Sequence, residues 1–396
     1  MCIKTNQRRL CNIETYKCPI CGNTNSNSIG IRAGRKYCRR CIAFRGEEVK
    51  GDLSYPKKAN IYIDYDLSKE QKELSRKILE NYKDGKNTLV HAVCGSGKTE
   101  IVLEVIKYAI ECGDRVGFAI PRRDVVVEIH QRFSQIFKRN KVVAVYGGHT
   151  SDVEGDLVVL TTHQLYRYYH YYDLLIVDEI DAFPFKNNEV LDAFFHRSIK
   201  NKYVLMSATP SSEVLTKFSN KGFEVVELFS RFHKYPLPVP ILISGNKFKL
   251  FYHLVNHVEK YLKEKKQVMV FAPTIEVCES LYGYLKIFVK GGDYVHSKRK
   301  DRGETIDKLR RGETKYIVTT AVLERGVTIK NIQVIVFLAD HMVYDRHTLI
   351  QIAGRVGRKK EAPEGEVIFL AERENEEIIS AIEEIERANR NLQDLL

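Results

Sequence analysis

No segment of the chain carries the roughly twenty consecutive apolar residues that a membrane-spanning helix needs, which excludes a helical integral membrane protein. Residues Met1 to Arg9 are polar and basic and lack the apolar core of a secretion signal. A long repeat is also missing, which excludes a solenoid, and no low-complexity tract interrupts the sequence. Prolines number only ten, and three of them, Pro236, Pro238 and Pro240, fall within five residues. With no route to an oxidising compartment, the nine cysteines are expected to be reduced, in the cytosol.

What is present divides into sections. At 396 residues, two or three domains are expected. The formal net charge of +12 is unevenly placed: residues 1–60 hold thirteen Lys/Arg against four Asp/Glu. From Glu372 onward, eight acids face three bases. A basic end calls for a polyanion, and nucleic acid fits better than a membrane because nothing there forms an amphipathic helix. Residues 1–60 read as a small metal-stapled module. Over 61–233, apolar runs (Leu89–Val93, Val116–Ile120, Leu157–Leu160, Leu174–Val177, Tyr203–Met206) alternate with helical stretches, the pattern of a mainly parallel sheet covered on both faces. The prolines make 234–240 an extended connector. A second α/β section, 241–371, has strands expected at Val268–Ala272, Tyr316–Thr319, Val334–Leu338 and Val367–Leu370. Residues 372–396 read as one acidic amphipathic helix. The fold class is therefore α/β, two tandem parallel-sheet lobes behind a small cysteine module.

The string Ala92-Val93-Cys94-Gly95-Ser96-Gly97-Lys98-Thr99 separates a strand from a helix. Glycines there let backbone N–H groups close on phosphate oxygens at a helix start, which is already an anion site. Lys98 is placed for the β- and γ-phosphates of ATP and Thr99 for Mg2+. Asp178-Glu179 ends another buried run; Asp178 offers magnesium an oxygen and Glu179 can polarise the attacking water. Two solvated acids at a strand end are the plain alternative. Arg355 and Arg358 lie three apart beyond Gln351 on a helical pattern, and arginines inserted at a transferring phosphoryl group stabilise its charge.

Cys18-x-x-Cys21 and Cys38-x-x-Cys41 have the spacing of a structural four-thiolate Zn2+ site. A redox pair is the rival, but two copies beside a basic loop do not suit it. Gly34-Arg35-Lys36, Arg39 and Arg40 suggest contact with nucleic acid or protein.

These strings, in this order with Ser207-Ala208-Thr209-Pro210, resemble motifs I, II, III and VI of superfamily 2 helicases and translocases, carried on two RecA-like lobes. The resemblance implies ATP in the cleft between the lobes. Lys98, Thr99, Asp178 and Glu179 would hold it from one side, with Arg355 and Arg358 completing the site from the other. Ser207 and Thr209 would couple the site to movement. Leu67-Ser68-Lys69-Glu70-Gln71 resembles the adenine-reading element, with Gln71 as reader. Thr319-Thr320 through Arg325-Gly326-Val327-Thr328 resembles motif V.

By position, a single strand would cross Arg122, Arg123, Gly147, Thr162 and His163 on the first lobe, and Thr274 and Thr319 on the second. Strand-end hydroxyls, glycines and arginines suit phosphate binding without sequence readout; the threonines serve equally well as helix caps. For Tyr166, Tyr168, Tyr169, Tyr171 and Tyr172, packing is favoured over base stacking. The wording of Ala92–Glu100, Ile120–Val126, Thr161–Leu165, Asp178–Phe183 and Arg231–Pro240 resembles the ComFA family, competence ATPases of Gram-positive bacteria. That resemblance implies a motor drawing single-stranded DNA through a membrane channel, in the cytosol at the inner face of the membrane. Its implied partners are the channel, a ComFC-like protein and a recombination mediator. An oligomer is compatible with the pattern. A PriA-type replication-restart helicase and a non-catalytic DNA-binding scaffold are the alternatives.

Overall fold

A computed structural model describes residues 16–44, 46–49, 51, 54–93, 96–180, 188–208, 223–228, 235–320, 329–357 and 361–393. The chain first folds back in an antiparallel hairpin, β1 (Ile29–Arg32) with β2 (Arg35–Cys38). Its turn residues Ala33 and Gly34 have φ of 48° and 75°, the left-handed pair that a two-residue hairpin of this twist requires.

The first lobe is a sheet of seven parallel strands. They are β3 (Asn87–Ala92), β4 (Val116–Ile120), β5 (Val142–Val145), β6 (Leu157–Thr161), β7 (Tyr172–Asp178), β8 (Ile199–Ser207) and β9 (Phe223–Leu228), in the order 5-6-4-7-8-3-9. Strands β4 and β6 are buried at every position, as strands covered on both faces must be. One face carries α1 (Lys69–Lys83), α2 (Lys98–Ile101), α3 (Leu103–Cys112) and α4 (Arg123–Ile136), with Ile78, Val105, Ile106 and Phe133 in a shared core. The opposite face packs Leu89, Val158 and Leu175 against Phe194 and Phe195 of α5 (Glu189–Ser198). Tyr168, Tyr172, Cys18, Cys38 and Cys41 belong to that same cluster, so the cysteine module takes its core from the lobe it sits on.

The second lobe has six parallel strands: β10 (Ile241–Ser244), β11 (Gln267–Phe271), β12 (Gly292–Val295), β13 (Tyr316–Thr319), β14 (Ile332–Phe337) and β15 (Val367–Ala371), in the order 10-15-14-11-13-12. Helices α6 (Lys247–Lys263) and α7 (Ile275–Phe288) cover one face through Leu250, Leu254, Leu281 and Leu285. Helices α8 (Arg302–Arg310), α9 (Arg346–Ala353) and α10 (Glu376–Gln393) cover the other through Leu309, Leu349, Ile378 and Ile385. Asn389 of α10 donates to the carbonyl of Leu237 at 2.9 Å and accepts from its N–H at 2.8 Å. The proline-rich connector is therefore fastened to the second lobe.

The central strands lie where the apolar runs place them. The stripe Val102, Val105, Ile106 and Ala109 is buried as expected, although the helix breaks at Val102 into α2 and α3. Residues 54–63 cross the first lobe, bonding Lys57 N–H to Ile110 O at 3.2 Å and Tyr62 N–H to Ile136 O at 3.0 Å, and Ala59 enters the lobe's core. An ion pair between Arg302 of α8 and Asp124 of α4 joins the two lobes.

Candidate nucleotide site and nucleic-acid edge

Register brings the chemistry to one edge of the first sheet. In β3, His91 lies opposite Ser207 of β8; in β7, Asp178 lies opposite Met206 of the same strand. Three adjacent parallel strands thus deliver the phosphate loop, Ser207 and Asp178-Glu179 at their carboxyl ends, where open α/β sheets take ligands. The next strands along the same edge are β4, leading to Arg122 and Arg123, then β6, leading to Thr162 and His163, and β5, leading to Gly147. Ile120 and Thr161 are paired in register. Nucleotide candidates occupy one half of the edge and nucleic-acid candidates the other, meeting between β7 and β4.

In the phosphate loop, strand β3 ends at the buried Ala92 and helix α2 begins at Lys98 and Thr99. Gly97 precedes them with φ 83° and ψ 45°, and a Cβ there would lie 2.3 Å from Gln71 Nε2, so only glycine fits. The Ser96 hydroxyl is fully buried and has no hydrogen-bond partner among the described residues. A buried donor without an acceptor costs stability, and a phosphate oxygen in the loop would satisfy it. Gly95 lies outside the described residues, as do Thr209, Arg358 and Arg325 through Thr328.

Gln71 is buried and works twice within its own chain. Its Oε1 accepts from Ser68 N–H at 2.9 Å, and Ser68 Oγ accepts from Gln71 N–H at 3.2 Å, closing a capping box on α1. Its Nε2 donates to the carbonyl of Ser96 at 2.7 Å. Asp178 Oδ1 accepts from the N–H of Glu179 at 2.9 Å, and Glu179 holds the left-handed backbone, φ 59°. On the second lobe, Gln351 on α9 is 4% exposed and Arg355, in the turn that follows, is 2% exposed. An arginine sealed from water is a stronger electrostatic partner than one in solvent.

The nucleic-acid candidates differ in availability. Arg123 lies over the Tyr146 ring at 4.8 Å, and Tyr146 stacks on His149 at 4.9 Å across the Gly147-Gly148 turn. Both glycines are exposed. Thr162 is fully buried, with no partner for its hydroxyl among the described residues. Thr274 caps α7, its Oγ1 accepting from Val277 N–H at 3.2 Å, and Thr319 is fully buried with its hydroxyl donating to Thr320 O at 3.1 Å. His163 is stacked on Phe44 at 5.9 Å; burial lowers its pKa below the usual histidine value, so it presents a neutral ring.

The four cysteine sulfurs all lie within 4.8 Å of one another, with Cys18–Cys41 at 3.5 Å and Cys21–Cys38 at 3.6 Å. A tetrahedron of 2.3 Å Zn–S bonds has edges of roughly 3.7 Å, so the donor set fits zinc. Burial raises the Cys38 thiol, but the backbone N–H groups of Arg40 and Cys41 directed at its sulfur outweigh that and bring it to about 7. Cys21, with burial dominant, is pushed up to about 11.

Several participants escape sequence reading. Glu100, next to Thr99, pairs with Arg132 of α4 and accepts from Tyr65 Oη at 3.2 Å, tying the first turn of the phosphate-loop helix to its neighbours. Its only signal is an acid beside Lys98-Thr99. Asp124 and Arg302 lie 178 residues apart and carry none. Phe44 packs at once on His163, Tyr166 and Phe194, the last edge-on at 5.0 Å.

Residues 64–212 match the type III restriction enzyme res subunit family, and residues 246–360 match the helicase conserved C-terminal domain. The chain is 33% identical to competence protein ComFA of Streptococcus pneumoniae over 390 residues, covering 94% of this chain and 90% of that protein. To ComFA of Bacillus subtilis it is 32% identical over 411 residues, covering 98% and 87%. The replication restart protein PriA of Rickettsia typhi is 27% identical over 54% of this chain and 36% of its own length. Among solved structures, S. cerevisiae Dbp5 bound to RNA and ADP BeF3 superposes with a TM-score of 0.62 at 17% identity, covering 82% of this chain and 92% of that one. RecG bound to a three-way DNA junction does so with 0.56 at 18% identity, covering 83% and 45%. At those identities the two structures establish the fold alone.

Proposed function

The chain belongs to the ComFA family of competence proteins, a helicase-like ATPase of superfamily 2, and on that premise we propose that it is a motor stimulated by single-stranded DNA and serving DNA uptake in transformation. One observation carries the reading: the phosphate loop, Asp178-Glu179, Arg122 and Thr162 all follow the carboxyl ends of strands in one continuous sheet, β3, β7, β4 and β6. A change at the nucleotide is transmitted to a DNA backbone without passing through a flexible joint.

Lys98, Ser96 and the helix start at Thr99 would hold the ATP phosphates, with Gly95 in the loop and Gln71 beside it. Thr99 and Asp178 would hold Mg2+, which supplies charge neutralisation at the phosphates. Glu179 would take the proton of the attacking water. Gln351, Arg355 and Arg358 would meet the triphosphate from the second lobe, where arginines lower the charge that builds on the transferring group. Ser207, at the end of β8 between the acids and the phosphate loop, would relay closure, together with Thr209 two residues on in the sequence. Cys18, Cys21, Cys38 and Cys41 would hold Zn2+ as a structural ion. The proposed partners, a membrane uptake channel and a cytosolic ComFC-like protein, follow from the family alone. The PriA-type reading has less support, because that likeness covers only 54% of the chain.

The test is ATP hydrolysis by the zinc-loaded chain with single-stranded DNA, RNA or duplex over a salt series. Single-stranded DNA is expected to stimulate most, with a log–log salt slope of roughly −0.7 per phosphate neutralised. Stimulation by RNA alone would reject the reading.

A further inference from the structure

We propose that the cysteine module is a brace for the turn at residues 162–167, and that Phe44 is the positioning residue that transmits the state of the metal site to that turn. The inference rests on the reading above, in which the Thr162–His163 segment contacts single-stranded DNA.

The module does not hang from the lobe as a separate finger. Phe44 N–H bonds to the carbonyl of Cys41 at 3.0 Å, so the ring's position is set by the second cysteine knuckle. From there the ring stacks on His163, tilts against Tyr166 at 6.1 Å and meets Phe194 of α5 edge-on. Aromatic contacts of this kind are short-ranged and orientation-dependent, so a shift of the knuckle is felt by the ring's neighbours.

Further ties grip the same two elements. Val49 N–H bonds to Arg167 O at 2.8 Å, and Val49 forms a parallel bridge with Tyr168 just past the turn. Glu48 pairs with Arg197 of α5 at 2.9 Å, and Arg197 also donates to Tyr166 O at 2.9 Å. Arg40, from inside the second knuckle, pairs with Glu189 in the first turn of α5 at 2.7 Å. Helix α5 is the first described element after Asp178-Glu179-Ile180. The module thus holds the nucleic-acid turn and the chain downstream of the acids in one fixed relation. The exposed hairpin residues Arg32, Arg35, Lys36 and Arg39 offer a rival role, direct DNA contact by the module itself.

The experiment uses the full zinc-loaded chain and three variants: Phe44→Leu, Phe44→Tyr, and Arg35→Ser with Lys36→Ser. Three quantities are read: the single-stranded DNA concentration giving half-maximal ATPase stimulation, the DNA-free rate, and the absorption spectrum after cobalt replaces zinc. Phe44→Leu is expected to raise the half-maximal concentration by about fivefold or more, the low end of ordinary site–site coupling. The DNA-free rate and the thiolate–cobalt bands should be unchanged, and Phe44→Tyr should restore the wild-type response. An unchanged DNA response in Phe44→Leu beside a weakened one in the Arg35/Lys36 variant overturns the proposal in favour of direct contact. Equal loss of DNA-free and DNA-stimulated rates, or loss of the cobalt bands, overturns it in favour of a purely structural ring. A wild-type chain that DNA neither stimulates nor binds, by anisotropy of a labelled strand, removes the functional reading itself.

Discussion

The side-chain amide of Gln71 donates to the backbone carbonyl of Ser96 at 2.7 Å, fastening the start of α1 to the phosphate loop. The other end of the same amide closes the capping box with Ser68. Gln71→Ala removes both bonds from a buried site, and each is worth about 1 kcal/mol, roughly a fivefold change in an equilibrium. The expected outcome is a rise in the KM for ATP of about fivefold with a lower melting temperature. Gln71→Glu should keep the cap but lose the donor to Ser96, raising KM with little change in melting. Unaltered KM in both variants would show that the loop does not depend on this amide.

Lys98→Ala is expected to abolish hydrolysis. Glu179→Gln should bind ATP with near-normal affinity while turnover falls by about 10²- to 10⁴-fold, the range for loss of a general base. Nucleotide binding by fluorescence, alongside phosphate release, separates the two effects. Normal turnover in Glu179→Gln would move the base elsewhere.

His163 supplies a pH dependence whose sign is fixed by burial. Burial holds its pKa below the usual histidine value in the folded chain, so the unfolded chain binds the proton more readily. Its contribution to stability is complete above the unfolded pKa and is lost as pH falls through and below it. Melting temperatures of wild type and His163→Gln should therefore converge as pH drops from 7.5 to about 5.5, other groups cancelling in the difference. A gap that widens with acid contradicts the assignment of a neutral, packed ring.

Asp124 and Arg302 form an ion pair between the lobes, and Asp124 is well exposed. Pairs of this kind contribute about 0.2–1 kcal/mol and weaken with salt. Asp124→Asn should leave the melting temperature nearly unchanged, and a cycle with Arg302→Gln should give a coupling that vanishes in about 1 M salt. A salt-independent coupling above that range would assign the pair a structural role.

Metal removal is the broadest of these tests. Cys18→Ser with Cys21→Ser is expected to release one zinc per chain, measured by atomic absorption. Because Cys18, Cys38 and Cys41 share a core with Leu89, Val158 and Phe194, the loss should lower the melting of the first lobe as a whole. A separate, early transition for the module with the lobe unaffected would contradict the shared core.

The central strands of both sheets were legible because strands buried on both faces write themselves as unbroken apolar runs. The strands that the runs do not mark, β5, β9, β10 and β12, are the four sheet edges. Edge strands are covered less: Val225 of β9 and Ile241 of β10 are exposed, and β12 begins with glycine. The phosphate loop and the cysteine pairs were legible for another reason, since their chemistry needs fixed local spacing. The sequence offers Gln71 as a contact for the base, and its bond to Ser96, 25 residues away, has no local pattern. Packing of the tyrosines between 166 and 172 was anticipated, but their position between module and sheet depends on Phe44 and Val49, more than a hundred residues upstream. Contacts at such separation leave no local pattern.

The most direct test of the whole account is a structure of the chain with single-stranded DNA and a non-hydrolysable ATP analogue. The Arg355 guanidinium, sealed from solvent here, is expected within hydrogen-bonding distance of the terminal phosphate that Lys98 holds. A complex in which Arg355 turns away from the nucleotide, with DNA bound and the lobes closed, would contradict the motor.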